Sequence, residues 1–208
     1  MTTEEIIEIL EHDRALCVVR APSVPDPVGI AGALAAAGIR LVEFTFTIPD
    51  VLSLIEASSD VLGAVVGAGT VLTVAQAKDA IAAGARFLLT PDLRPEVAAV
   101  ARAAGVPMIM GALTPSEVGR AVDLGAAAVK IFPARIGGPG YIKDLRGPFP
   151  GVRLIPTGGV SAENGRAFLE AGALALGAGT DVVRPDLVVA GDNDAIGERA
   201  RAFVAAVR

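Results

Sequence analysis

Short apolar runs recur along the chain, each entered through a glycine: AAGIRLVEF, VLGAVVGAG, AAGARFLLT, AAGVPMIMG, DLGAAAVKI, FPGVRLIPT and EAGALALGA. The glycines are Gly38, Gly63, Gly84, Gly105, Gly125, Gly151 and Gly172, spaced 20 to 26 residues apart. That spacing fits one strand, one helix and two short loops. A glycine just past a helix end supplies the left-handed conformation that closes it, so each phrase reads as a helix end, a reversal and a short buried strand. Between the runs lie alanine-rich segments with helix-start signals. In TVAQ from Thr73 and TPSE from Thr114 the threonine caps the helix; in the second, Pro115 occupies the first turn and Glu117 reaches back.

The earlier run ALCVVRA brings the strands to eight, alternating with helices, which is the pattern of a parallel sheet. Eight such units predict an α/β fold, a (β/α)8 TIM barrel near the lower size limit for that architecture. The segment TEEIIEILEHD ahead of strand 1 predicts an extra N-terminal helix that plugs the bottom of the barrel. An open doubly wound sheet is the alternative, since short apolar runs do not by themselves establish closure. No linker or shift in composition interrupts the pattern, so residues 1–208 read as a single TIM-barrel domain.

Composition narrows the chemistry. With one cysteine, Cys17, and one histidine, His12, there is no disulfide framework and no Cys/His metal spacing; neither a metal nor a cofactor is expected. A net charge of −5 with no basic run and 4% aromatic residues argues against nucleic acid and against a membrane surface as partners. The N-terminal MTTEEIIEIL is acidic where a secretory signal is basic, and no long apolar stretch follows, so a cytoplasmic location is expected.

Active-site groups of a barrel come from the C-terminal ends of its strands and the loops beyond. There the chain places Lys130, one of only three lysines, inside an apolar strand. Strand alternation puts Lys130 and Phe132 on one face and Val129 and Ile131 on the other. Leu41, Glu43, Thr45 and Thr47 share a face in the same way, so Glu43 is a second ionisable group facing inward. A buried Lys–Glu pair can be purely structural. It can also be a nucleophile that titrates low and attacks a ketone to form a Schiff base, with a carboxyl group moving the protons. PTGGVS after strand 7 and LGAGTD after strand 8 place Gly158, Gly159, Gly179 and Thr180 where barrels bind phosphate, and a helix starting near Ser161 adds its positive end. In VVGAGTV, Thr70 offers a hydroxyl to a substrate lying close to the backbone.

Taken in order, VEFTFTIPD, VVGAGTVLT, FLLTPDL, VKIFPA, GPFPGVRLIPTGGV and the closing GAGT resemble the 2-keto-3-deoxy-6-phosphogluconate (KDPG) aldolase and 4-hydroxy-2-oxoglutarate aldolase family over nearly the whole chain. The resemblance implies a homotrimeric barrel that cleaves KDPG, a phosphorylated keto acid, into pyruvate and glyceraldehyde 3-phosphate. It implies Lys130 as the Schiff-base lysine and Glu43 as the general acid/base. Thr70, Pro91 and Phe132 would line the pyruvate end, Gly158, Gly159 and Thr180 the phosphate end, with Thr157 between. Many members carry arginine where this chain has Thr47, and that arginine binds the pyruvate carboxylate. Arg20, at the end of strand 1, is the nearest substitute; its other use would be an ion pair with Glu43 or Asp50 at the rim. Other phosphate-binding barrel enzymes, such as a sugar-phosphate isomerase or a 6-phosphogalactonate aldolase, or a non-catalytic trimeric barrel scaffold, are the competing readings.

Overall fold

The computed structural model describes all 208 residues. Its sheet is built from β1 (Ala15–Val19), β2 (Leu41–Thr45), β3 (Val65–Gly69), β4 (Leu88–Leu89), β5 (Met108–Ala112), β6 (Ala128–Ile131), β7 (Leu154–Pro156) and β8 (Leu176–Ala178). All pairings are parallel, in the order β7-β6-β5-β4-β3-β2-β1-β8. The pairing of β1 with β8 makes the first and last strands neighbours, and contact across the one seam left, between β7 and β8, closes the sheet and excludes the open doubly wound alternative. The remaining seam, between β7 and β8, is crossed by a single bridge from Thr157 to Gly177 and by the bond from Leu174 N–H to Leu154 carbonyl oxygen at 2.9 Å.

The connecting segments form α1 (Thr3–Asp13), α2 (Pro27–Ala36), α3 (Val51–Ser58), α4 (Val74–Ala82), α5 (Pro95–Ala103), α6 (Pro115–Asp123), α7 (Gly138–Arg146), α8 (Gly165–Glu170), α9 (Pro185–Ala190) and α10 (Asn193–Val207). Thr73 and Thr114 cap α4 and α6 with complete capping boxes, closed by Gln76 and Glu117. Of the seven glycines that punctuate the sequence, Gly38, Gly63, Gly84, Gly105, Gly125 and Gly172 have positive φ; Gly151 does not, because it sits in the irregular turn after α7. The helix expected near Ser161 begins instead at Gly165. The Asn164 side chain accepts from Ser161 N–H, and residues 162–164 make a turn before the regular helix starts.

Two apolar clusters divide the interior. The larger lies between sheet and helices and takes the outward strand residues, among them Val42, Phe44, Val129 and Ile131. The smaller takes the inward residues Leu16, Leu41, Phe87, Ile109 and Ile155 together with Ile6, Ile7 and Leu10 of α1. The N-terminal helix therefore stops the bottom of the barrel, as the sequence predicts. Asp13, at its end, is buried and accepts hydrogen bonds from the backbone and guanidinium of Arg40. Toward the top of the barrel the inward positions change character. Gly69, Gly111 and Gly177 replace the large residues, and a Cβ at each would collide with the Glu43 carboxyl, the Pro91 backbone and the Thr157 side chain, respectively. The lower barrel is packed solid, and the upper barrel is hollow.

Candidate active site

The hollow opens as a cavity of about 720 Å³ at the C-terminal ends of the strands. Ten of the twelve residues selected from the sequence line it: Arg20, Thr70, Pro91, Lys130, Phe132, Thr157, Gly158, Gly159, Gly179 and Thr180. The other two stand behind the wall. Glu43 is fully buried beneath the floor, and Thr47 is reached through Arg20.

Lys130 is 4% exposed, with its Nζ 4.0 Å from Glu43 Oε1 and 5.2 Å from the centroid of the Phe132 ring. At 4.0 Å the pair is coupled by charge without a hydrogen bond. Both Glu43 oxygens lack any hydrogen-bond partner. Burial dominates each group: it pushes the Lys130 ammonium below the usual lysine value, opposed by Glu43 and assisted by Arg20, and it pushes the Glu43 carboxyl up against the pull of Lys130 and Arg20. Both shifts favour the neutral forms, a free amine beside a protonated acid. That combination is a nucleophile with a proton donor at hand.

At one end of the cavity the Arg20 guanidinium donates to Thr47 Oγ1 at 3.2 Å and to Thr70 Oγ1 at 2.9 Å, and Thr47 is tied in turn to Thr45 Oγ1 at 2.8 Å. No ion pair joins Arg20 to Glu43 or Asp50, so the rim-pairing use of Arg20 is not realised. Thr70 holds φ +55°, a left-handed conformation that a β-branched residue adopts only under constraint. Such strain concentrates at functional sites, and here it turns the Thr70 hydroxyl toward Arg20.

At the other end Gly158 and Gly159 have φ of +84° and +87°, and a side chain at either would strike Phe132 or Arg135. The backbone N–H groups of Gly158, Gly159, Gly179 and Thr180 find no acceptor within the chain. Two facing loops with free donors make a cup for an anion. Asp181 joins these loops, its carboxylate accepting from Ala162 N–H at 2.9 Å, and Arg199 of α10 donates to the Asp181 carbonyl oxygen at 3.0 Å through Nε. Arg135, Asp181 and Arg199 line the cavity and were not selected from the sequence. Arg135 follows VKIFPA directly and could have been found by extending that strand end; Arg199 lies on the last helix, with no local signal pointing to this site.

The family model for KDPG and KHG aldolase matches residues 6–199. A 2-dehydro-3-deoxy-phosphogluconate aldolase of Treponema pallidum is 37% identical over 189 residues, covering 90% of each chain. A KHG/KDPG aldolase of Escherichia coli is 35% identical, covering 94% of this chain and 93% of its own length. The crystal structure of a KDPG aldolase from Legionella pneumophila, with pyruvate captured at low pH as a covalent carbinolamine intermediate, superposes with a TM-score of 0.87 at 28% identity, covering 95% of this chain and 97% of that one. With its closed eight-stranded barrel and full-length match, the chain belongs to the KDPG and KHG aldolase family.

Proposed function

We propose that this protein is a class I aldolase that cleaves KDPG into pyruvate and glyceraldehyde 3-phosphate through a Schiff base on Lys130. The observation that carries this is the buried pair, Lys130 and Glu43, each biased toward its neutral form and 4.0 Å apart at the floor of the cavity. The free amine of Lys130 attacks the C2 ketone. Glu43 gives its proton to the departing oxygen as the carbinolamine loses water, which leaves an iminium on Lys130 and a carboxylate at Glu43. The carboxylate takes the proton of the C4 hydroxyl, the C3–C4 bond breaks, and its electron pair moves into the iminium as an enamine. Glyceraldehyde 3-phosphate leaves, Glu43 returns the proton to C3, and water adds to the iminium, giving a proton back to Glu43, so that pyruvate is released and the amine and the protonated acid are both regenerated.

The cavity orients the substrate for these steps. Arg20, with Thr47 and Thr70, holds the carboxylate, since a guanidinium can grip it through two parallel bonds while the ketone stays aligned with Lys130. Pro91 and Phe132 line the pyruvate end, Thr157 lies mid-cavity, and the loops of Gly158, Gly159, Gly179 and Thr180 receive the phosphate. Capture of pyruvate as a carbinolamine in the Legionella enzyme supports the same covalent route here. A homotrimer and a cytoplasmic location belong to the same reading. No helix is long and apolar enough to cross a membrane, and Ile136, 69% exposed, offers apolar surface suited to a neighbouring protomer.

Borohydride reduction in the presence of pyruvate, followed by peptide mapping, tests the assignment. The adduct is expected on Lys130; a label on Lys78 or Lys143, or none, would overturn it.

A further inference from the structure

Five charged residues line the cavity: Arg20, Lys130, Arg135, Asp181 and Arg199. Four are committed. Arg20 bonds Thr47 and Thr70, Lys130 faces Glu43, Asp181 accepts from Ala162 N–H, and Arg199 donates to the Asp181 backbone. Arg135 differs from them: its backbone N–H bonds the Gly158 carbonyl oxygen at 3.0 Å, while its guanidinium makes no hydrogen bond or ion pair within the chain. The side chain leaves the backbone against the glycine turn so closely that a Cβ on Gly159 would lie 2.6 Å from Arg135 Cβ. An uncommitted cation thus rises beside the free N–H groups of the anion cup.

We propose that Arg135 is a specificity-determining residue that makes this protein select a phosphorylated substrate over the same carbon skeleton without phosphate. The inference rests on the Schiff-base reading of the same cavity. Backbone N–H groups alone hold an anion through neutral donors, which a water-filled cavity mouth supplies nearly as well. A guanidinium adds a charge-assisted, forked contact that an uncharged terminal hydroxyl cannot use. Asp181 is the carboxylate that shares the cavity lining with it, and Glu163 accepts a hydrogen bond from the Ser161 hydroxyl.

The test compares kcat/KM for KDPG with that for 2-keto-3-deoxygluconate in wild type, Arg135→Gln and Arg135→Glu, with pyruvate release as the readout. The ratio of the two is expected to fall roughly ten- to hundred-fold in Arg135→Gln, the range for losing one charged hydrogen bond, and further in Arg135→Glu. Added salt should lower the wild-type ratio and leave the Arg135→Gln ratio flat. Borohydride labelling of Lys130 by pyruvate in each variant separates the two layers. Normal labelling with an unchanged ratio overturns the role of Arg135 alone, as does an equal loss on both substrates. Failure of the wild type to label overturns the Schiff-base reading and this inference with it.

Discussion

Placing a methyl group at Gly69 tests the role of Glu43 without altering an ionisable group. A Cβ there would lie 2.6 Å from Glu43 Cδ, 2.7 Å from Oε1 and 3.0 Å from Oε2. Carbon contacts are comfortable from roughly 3.5 Å, so the carboxyl must retreat by about 1 Å. Nothing anchors it, because neither oxygen has a hydrogen-bond partner, and the side chain can turn aside at about 0.5–1.5 kcal/mol of rotamer strain. Gly69 itself does not have positive φ, so alanine brings no backbone penalty of its own. Misplacing a reacting group by about 1 Å costs about 10²-fold, or roughly 2.7 kcal/mol of barrier. Gly69→Ala is therefore expected to slow exchange of the pyruvate methyl protons with deuterated water about 100-fold, followed by proton NMR. Overpacking should lower stability by only about 1–3 kcal/mol. At saturating pyruvate and long incubation, borohydride should still trap Lys130 to wild-type stoichiometry, since the lysine lies outside the collision. Exchange at the wild-type rate in the folded variant would refute Glu43 as the proton carrier.

Two further expectations follow from other parts of the molecule. Arg20→Ala should weaken pyruvate binding roughly ten- to hundred-fold, corresponding to about 1.5–3 kcal/mol, and weaken glyceraldehyde 3-phosphate binding less; equal effects on the two ligands, or none, would remove Arg20 from the carboxylate site. Burial alone would raise the Asp13 carboxyl, but hydrogen bonds from Arg40 and His12 hold it below the usual value of 3.8, so its stabilisation is present above that value and is lost as pH falls through the folded-state value. Asp13→Asn should cost about 2 kcal/mol at neutral pH, discounted for the partial exposure of Arg40, and flatten the acid limb of a stability–pH curve; an unchanged melting temperature at pH 7 would rule out this account of the Asp13–Arg40 pair.

The architecture was legible because its signals are local and repeated. A glycine reversal, an apolar run and a threonine cap each act over a few residues, and the capping boxes at Thr73 and Thr114 formed as their spelling predicts. The inward direction of Lys130 and Glu43 followed from strand alternation, which leaves no freedom once the apolar neighbours are assigned to the outer layer. Closure was not legible, because it depends on β8 meeting β1 on one side and β7 on the other, and the first of these is a contact that no window of the sequence contains. The start of α8 differs for a smaller reason: Asn164 caps the Ser161 N–H and the Ser161 carbonyl oxygen accepts from Gly165 N–H, so the chain turns at Ser161 while the regular helix begins only at Gly165. Arg199 stayed hidden because it reaches the cavity from α10 by folding alone, and Arg20 could be named from the sequence without its threonine partners being certain until the loops were in place.

Closure of the sheet through its two ends also sets when this protein can fold. Arg14 reaches the Leu174 carbonyl across 160 residues of chain, and Leu176 N–H bonds the Arg14 carbonyl oxygen at 2.9 Å. Until the ribosome has delivered β8, β1 keeps an unpaired edge and the cluster around α1 stays short of one wall. Strands with exposed edges recruit other strands, and contacts so distant in sequence form slowly. A nascent chain of this kind carries its aggregation hazard for almost the whole of its synthesis, and shedding it depends on the last sixth of the polypeptide. Truncations that reach β8 should therefore cost yield and solubility together with the Gly179 and Thr180 loop that lies beyond it.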